Sequence, residues 1–170
     1  MKRSEINAIM RDGIAFIRKM NFALPPFAYW TPAEWRRKNR EYDEIRDNML
    51  GWDITDFGSG DFHRVGLFLF TVRNGNAKLR KRYDKPYAEK LMIVEEGQVT
   101  PYHFHWSKAE DIINRGGGKL VIKLYNSTPA GMLADEGDGV DGGLVAEACQ
   151  QQRCTVHRVG WGITRSHWDR

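Results

Sequence analysis

Cysteine is nearly absent from this chain: 170 residues hold two, Cys149 and Cys154, both near the end. A disulfide-stapled scaffold is therefore excluded, and two thiols without a secretion signal are expected to stay reduced. Long apolar runs are missing as well, and none approaches the roughly 18 residues that a membrane span needs. The opening Met1-Lys2-Arg3-Ser4-Glu5 is basic, but Arg11 and Asp12 interrupt any apolar signal core. A cytoplasmic protein with no membrane partner is the expectation. Charge of one sign is scarce in excess. The isoelectric point near 9.1 conceals a net charge of only +4, with basic residues interleaved with acids. The densest cluster, Lys78, Arg80, Lys81, Arg82 and Lys85, reads as a solvated loop between strands rather than a phosphate-binding patch. No nucleic-acid partner is expected.

What is present is ordinary for a globular domain: 41% hydrophobic and 28% charged residues, in a chain long enough to bury a real core. The first sixty residues read as helical. Ile6, Ile9, Met10, Ile14, Ile17 and Met20 recur at spacings of three and four behind Ser4, a candidate N-cap. Leu24-Pro25-Pro26-Phe27 breaks that stripe. Thr31, Pro32 and Glu34 then form a capping box that restarts a helix, with Gly51 as its stop. After Gly58-Ser59-Gly60 the period changes. Strands are predicted over 65–73, 90–95, 99–106 and 119–125, separated by Asn74-Gly75 and Glu96-Gly97 turns. Helices followed by short strands predict a mainly β fold, a barrel or sandwich with helices packed at one side. The expected division is an N-terminal helical segment (1–60), a barrel core (61–127) and a divergent, poorly ordered tail (128–170). That tail is rich in Gly, Asp and Ala and shows no convincing alternation.

The chemistry concentrates between Gly97 and Gly118. His103 and His105 are one residue apart, which on a strand sets both imidazoles on one face. Glu110 follows a short turn and can fold back to the same point. Two imidazoles and a carboxylate suit Mn, Fe, Co, Ni or Zn, with positions left open for substrate oxygens. A lone His-x-His is weak and often no more than a solvated pair. Here it sits in a longer pattern: glycine, five residues, His-x-His, four residues, Glu, six residues, glycine. Gly97, His103, His105, Glu110 and Gly117 occupy every fixed position, so the segment resembles the first cupin motif in full.

The flanks narrow the likeness. Tyr87 to Lys90, Gln98 to Pro101, His103 to Trp106, Lys108 and the Glu110 to Gly118 run resemble the D-lyxose isomerase family. So do the Lys-Arg-Ser start, Leu24 to Ala28, Leu50 to Asp53 and Phe70 through Gly75. Together these cover about residues 1–127. The resemblance implies a cupin-type β-barrel (a jelly roll) and a metal-dependent enzyme interconverting D-lyxose and D-xylulose, often also D-mannose and D-fructose. It implies His103, His105 and Glu110 as ligands, with Mn2+ as the metal ahead of Co2+, Fe2+, Ni2+ or Zn2+, and a homodimer acting on a small sugar. Lys108 matches a family lysine assigned to catalysis and substrate binding. Lys90 matches one at the substrate, with a surface lysine as its bland alternative. Asp111 and Arg115 are expected to support the ligands or the turn.

Two features depart from the family. Its fourth ligand is a histidine from a second motif containing Pro-x-Gly, and no proline follows Pro129 here. Family members also continue past residue 170. The barrel is therefore expected to be incomplete at its C-terminal end, with weakened metal retention and weak or absent activity. His157 and His167 are the remaining histidine candidates, and Cys149, Cys154 and His157 form only a loose zinc-like cluster. Other readings of the same ligands are a cupin dioxygenase holding Fe(II), and a non-catalytic sugar-binding cupin. One explanation of the departure is a reading-frame change near Asp135-Glu136, since codons for Trp161-Gly162-Ile163 can read Gly-Glu-Ser in a shifted frame. The gene's nucleotide sequence tests this: the alternative frame should yield family-like sequence, and a frame yielding none counts against it.

Overall fold

The computed structural model describes residues 1–103, 109–126, 144–148, 153–157 and 159–165. The chain divides into two compact units, one of Met1–Thr55 with Leu67–Ile93, the other of Asp56–Gly66 with Val94–Arg170.

The first unit opens with helix α1 (Arg3–Lys19), built on the expected apolar stripe, of which Ile9 and Ile17 are the most buried members. It starts one residue ahead of Ser4, which lies inside the first turn instead of capping it. The Glu5 carboxylate accepts the Lys2 backbone N–H at 3.2 Å. At the other end Asn21 takes a left-handed conformation, φ 54°, and Phe22 N–H reaches back to Ile17 O at 3.2 Å, the helix stop that Asn tolerates. Gly13 lies against Phe68 of the sheet. A Cβ there would lie 2.6 Å from the Phe68 ring.

The Thr31 capping box forms as the sequence predicts. Thr31 N–H donates to Glu34 Oε2 at 2.7 Å and Glu34 N–H to Thr31 Oγ1 at 3.2 Å. The single helix expected to follow is broken, however. It consists of α2 (Pro32–Trp35), a tight turn at Arg40–Tyr42 and α3 (Asp43–Asp47). Asn39 causes part of the break, because its side chain accepts the Glu41 N–H at 3.0 Å and offers the backbone a local alternative.

Three antiparallel strands follow: β1 (Gly51–Thr55), β2 (Leu67–Arg73) and β3 (Glu89–Ile93), in the order β1-β2-β3. β1 falls where the sequence reads as the end of a helical region. Central β2 carries the core, with Phe70 fully buried. Trp52 packs edge-on to Phe70 at 4.6 Å between ring centroids, Phe27 stacks on Phe70 at 5.3 Å, and Trp52 Nε1–H donates to Ala28 O at 2.8 Å. The basic cluster lies in the loop joining β2 to β3. Lys78, Arg80 and Lys81 are exposed, whereas Arg82 pairs with Asp43 at 2.8 Å and Lys85 with Glu44 at 2.8 Å. Tyr83 is buried beside them and donates to Asp47 Oδ2 at 2.6 Å.

The second unit holds β4 (Val99–His103), β5 (Ala109–Ile113), β6 (Leu120–Asn126), β7 (Leu144–Ala148), β8 (Arg153–His157) and β9 (Val159–Arg165). One sheet runs β4-β9-β6-β7 and a second pairs β5 with β8, all antiparallel. The last three strands arise where the sequence lacks alternation; their pairing with β4, β5 and β6 gives the backbone its partners. Segment 61–66 is stitched to the start of β4. Val99 N–H donates to Arg64 O at 2.9 Å and Gly66 N–H to Val99 O at 3.1 Å. Gln98, fully buried, donates to Phe62 O at 2.6 Å and accepts the Glu95 N–H at 3.0 Å. Both ends of this amide are satisfied, so its burial carries no orphan polar group. Among the described residues no helix is long and apolar enough to cross a membrane.

Two predictions follow from the packing. Burial, then the hydrogen bond to Asp47, push the Tyr83 phenol up to about 12 from 10.0. Because the folded value is the higher one, this group's contribution is complete below pH 10 and is lost as pH rises towards 12. Tyr83→Phe should remove that component of alkaline destabilisation, read from unfolding midpoints between those pH values. Gly66 has no room for a side chain, since a Cβ would meet Phe62 O at 2.3 Å and Gln98 Nε2 at 2.8 Å. Gly66→Ala should cost about 1–3 kcal/mol, lowering the urea midpoint at constant slope. An unchanged midpoint would show that the stitch yields freely.

Candidate metal and sugar site

The motif glycines are conformational requirements. Gly97 has φ 72° and Gly117 has φ 88°, left-handed backbone that L side chains rarely adopt. Gly97 turns the chain into β4, which ends on His103. Gly117 turns it between β5 and β6. The second turn is clamped by Asn114, whose Oδ1 accepts Gly116 N–H at 3.0 Å while its Nδ2 donates to Gly118 O at 2.8 Å. Gly116, Gly117 and Gly118 therefore serve a tight backbone turn.

β5 alternates cleanly. Asp111 and Ile113 are exposed, Ile112 and Asn114 are buried, and Glu110 shares their inward face. Its carboxylate oxygen Oε2 is shielded from solvent. A carboxylate placed there calls for positive charge or donors. The exposure of Asp111 and Arg115 suits the outer side of the strand and turn.

His103 is half-buried, and its Nδ1 lies 3.0 Å from Pro101 O. A carbonyl oxygen only accepts, so in the neutral ring Nδ1 carries the proton and the basic lone pair resides on Nε2. That is the tautomer in which a histidine coordinates a cation through Nε2 with a backbone carbonyl holding its other nitrogen. The approach to His103 is irregular. Thr100 pairs with Ile163 and His103 with Trp161, so β4 spends two residues, Pro101 and Tyr102, against Gly162 alone. Sequence reading missed this β-bulge, although its signal was present: proline cannot donate to a ladder and sits in sheets at edges or bulges.

The remaining sequence-predicted residues divide as follows. Lys90 lies on β3 opposite Thr71, is exposed, and belongs to the first unit. His105 and Lys108 fall in 104–108, outside the described residues, as do Cys149 and His167. Among the described residues no group of three or more His, Cys, Asp or Glu side chains is placed to hold a metal. His103 and Glu110 are thus the described members of the expected triad. On β8, His157 stands opposite Ala109 and Cys154 opposite Ile112, while Val156 is the residue across from Glu110. What His103 and Glu110 offer, an imidazole and a carboxylate with one shielded oxygen, fits the donor set of a first-row divalent cation.

Comparison with known proteins places the fold and the family. An L-ribose isomerase from Cellulomonas parahominis, solved with L-psicose, superposes with a TM-score of 0.58 over 98% of this chain and 78% of its own, at 14% identity. At that identity the likeness is one of fold: mostly β with few helices, as in this cupin-fold sugar isomerase. The D-lyxose/D-mannose isomerase of Serratia proteamaculans is 49% identical over 160 residues, 94% of this chain and 68% of the relative. Its counterpart in Escherichia coli O157:H7 is 46% identical over 153 residues, 89% of this chain and 65% of the relative. The chain therefore spans about two thirds of the length of these relatives. The family described as D-lyxose isomerase matches residues 1–153, well beyond the 1–127 that the motifs carry and through Asp135-Glu136. On that match, this chain belongs to the D-lyxose isomerase family, a family of isomerase enzymes.

Proposed function

We propose that this chain is a metal-dependent aldose–ketose isomerase that interconverts D-lyxose and D-xylulose, and D-mannose and D-fructose. The single observation that carries the reading is local: within the family's motif, His103 has its basic lone pair on Nε2 and Glu110 lies on the inward face of β5. His103, His105 and Glu110 would hold the cation, with Mn2+ proposed as the native metal. When bound, a divalent cation supplies Lewis-acid polarisation of the sugar oxygens. Moving a carbonyl between C1 and C2 also requires a proton to leave one carbon and return to its neighbour. Lys108 is proposed to move that proton or to hold the oxygen beside it. Lys90 is proposed to bind a sugar hydroxyl. A cytoplasmic homodimer belongs to the same proposal.

The reading is tested by stripping the purified protein with a chelator, reloading it with Mn2+ and following D-lyxose to D-xylulose conversion. Turnover should depend on the metal. Glu110→Gln should lower kcat/KM by about 100-fold or more with an unchanged circular dichroism spectrum. Sugar binding without turnover would instead indicate a non-catalytic cupin, and oxygen consumption with Fe(II) a dioxygenase.

A further inference from the structure

We propose that Asn74-Gly75 is a covalent modification site. A clasp to Asn48 holds the Asn74 amide against deamidation, and its conversion to a carboxylate releases the loop between β2 and β3.

The dipeptide is the labile one in this chain. A backbone nitrogen that follows asparagine attacks the side-chain amide carbon, and a side chain on that following residue hinders the attack. Among the asparagines of the sequence only Asn74 precedes a glycine. Packing calls for both residues. A Cβ on Gly75 would lie 2.7 Å from Lys85 O, so the turn leaves no room for a larger residue. Asn74 Nδ2 donates to Asn48 O at 3.0 Å, and Asn48 Nδ2 donates back to Asn74 O at 3.1 Å. Asn48, which follows α3, is only 1% exposed, and its Oδ1 accepts from Asn76 Nδ2 at 3.0 Å. These amides dock the start of the loop on the end of the helix.

The step balances without an oxidant. The Gly75 nitrogen loses its proton to base and bonds to Asn74 Cγ; the Cγ–Nδ2 bond breaks and ammonia leaves. Water then opens the cyclic imide at either carbonyl, giving aspartate or isoaspartate. Departure of Nδ2 breaks its bond to Asn48 O, so the docked loop resists the reaction and a locally opened one permits it. The product does not redock in the same way. A carboxylate oxygen would face the Asn48 carbonyl, two acceptors with no proton between them. Isoaspartate also adds a backbone carbon beside a glycine that already has no space to spare. The loop beyond carries Lys78, Arg80 and Lys81, all exposed, so its release is read as tryptic cleavage.

The test incubates the full chain at mildly alkaline pH, folded and in guanidinium chloride. Position 74 is followed by fragmentation mass spectrometry of tryptic peptide 74–78. In denaturant Asn74 should deamidate ahead of every other asparagine. In the folded chain it should react about tenfold or more slowly, and Asn48→Ala should remove most of that protection. The deamidated natural chain, separated by its added negative charge, should be cut by trypsin within 78–82 about tenfold faster than the unmodified chain. Equal rates at Asn74 in folded and unfolded chain would overturn the proposal. So would preferential reaction at another asparagine, or a deamidated chain as resistant to trypsin as the original. Should Asn48→Ala not fold, the two measurements on the natural chain decide.

Discussion

A carboxylate turned to the inward face of a strand is held there by the strand's register, and the proposed site depends on Glu110 keeping that position. The alternation of β5 sets the face, with Ile112 and Asn114 buried on the same side. Two devices keep that strand in place. Its register with β8 runs unbroken from Ala109 to Ile113, and Asn114 closes the following turn by bonding to both Gly116 and Gly118. The face on which Glu110 lies is thus set by backbone geometry. His103 lies on another strand of the same unit, its Nδ1 against the carbonyl of Pro101 two residues away.

Glycine serves this arrangement in two physically different ways. At Gly97 and Gly117 the requirement is conformational: φ of 72° and 88° lets the chain turn sharply before β4 and after β5. Gly97 has open space where a Cβ would be. At Gly66 the requirement is space, because backbone and the Gln98 amide already occupy the position a methyl group would take. The first kind defines the spacing of the motif. The second lets segment 61–66 lie against the start of β4 closely enough for Gln98 to bond to Phe62 O.

The first unit shows the same economy with aromatic side chains and charge. Phe27, Trp52, Phe68 and Phe70 form a ring cluster on the three-stranded sheet, and the indole of Trp52 finds a backbone carbonyl at its polar edge. Basic residues that raise the isoelectric point are partly committed inside the same unit. Arg82 and Lys85 meet the acids of α3, which leaves Lys78, Arg80 and Lys81 as a solvated loop.

The local pattern by itself determined a good deal. The α1 stripe, the Thr31 capping box, strands β2, β3, β4 and β6, and the glycines flanking the ligand spacing all follow from period, cap chemistry and backbone freedom, which are properties of neighbouring residues. Other features required partners distant in the chain. β1 is a strand because Gly51 to Thr55 pairs with β2, overriding a helical neighbourhood. β7, β8 and β9 lack alternation and gain their conformation from ladders to β4, β5 and β6. The bulge at Pro101 became visible only through its opposite strand, because a register is a relation between two segments and one segment carries only half of it.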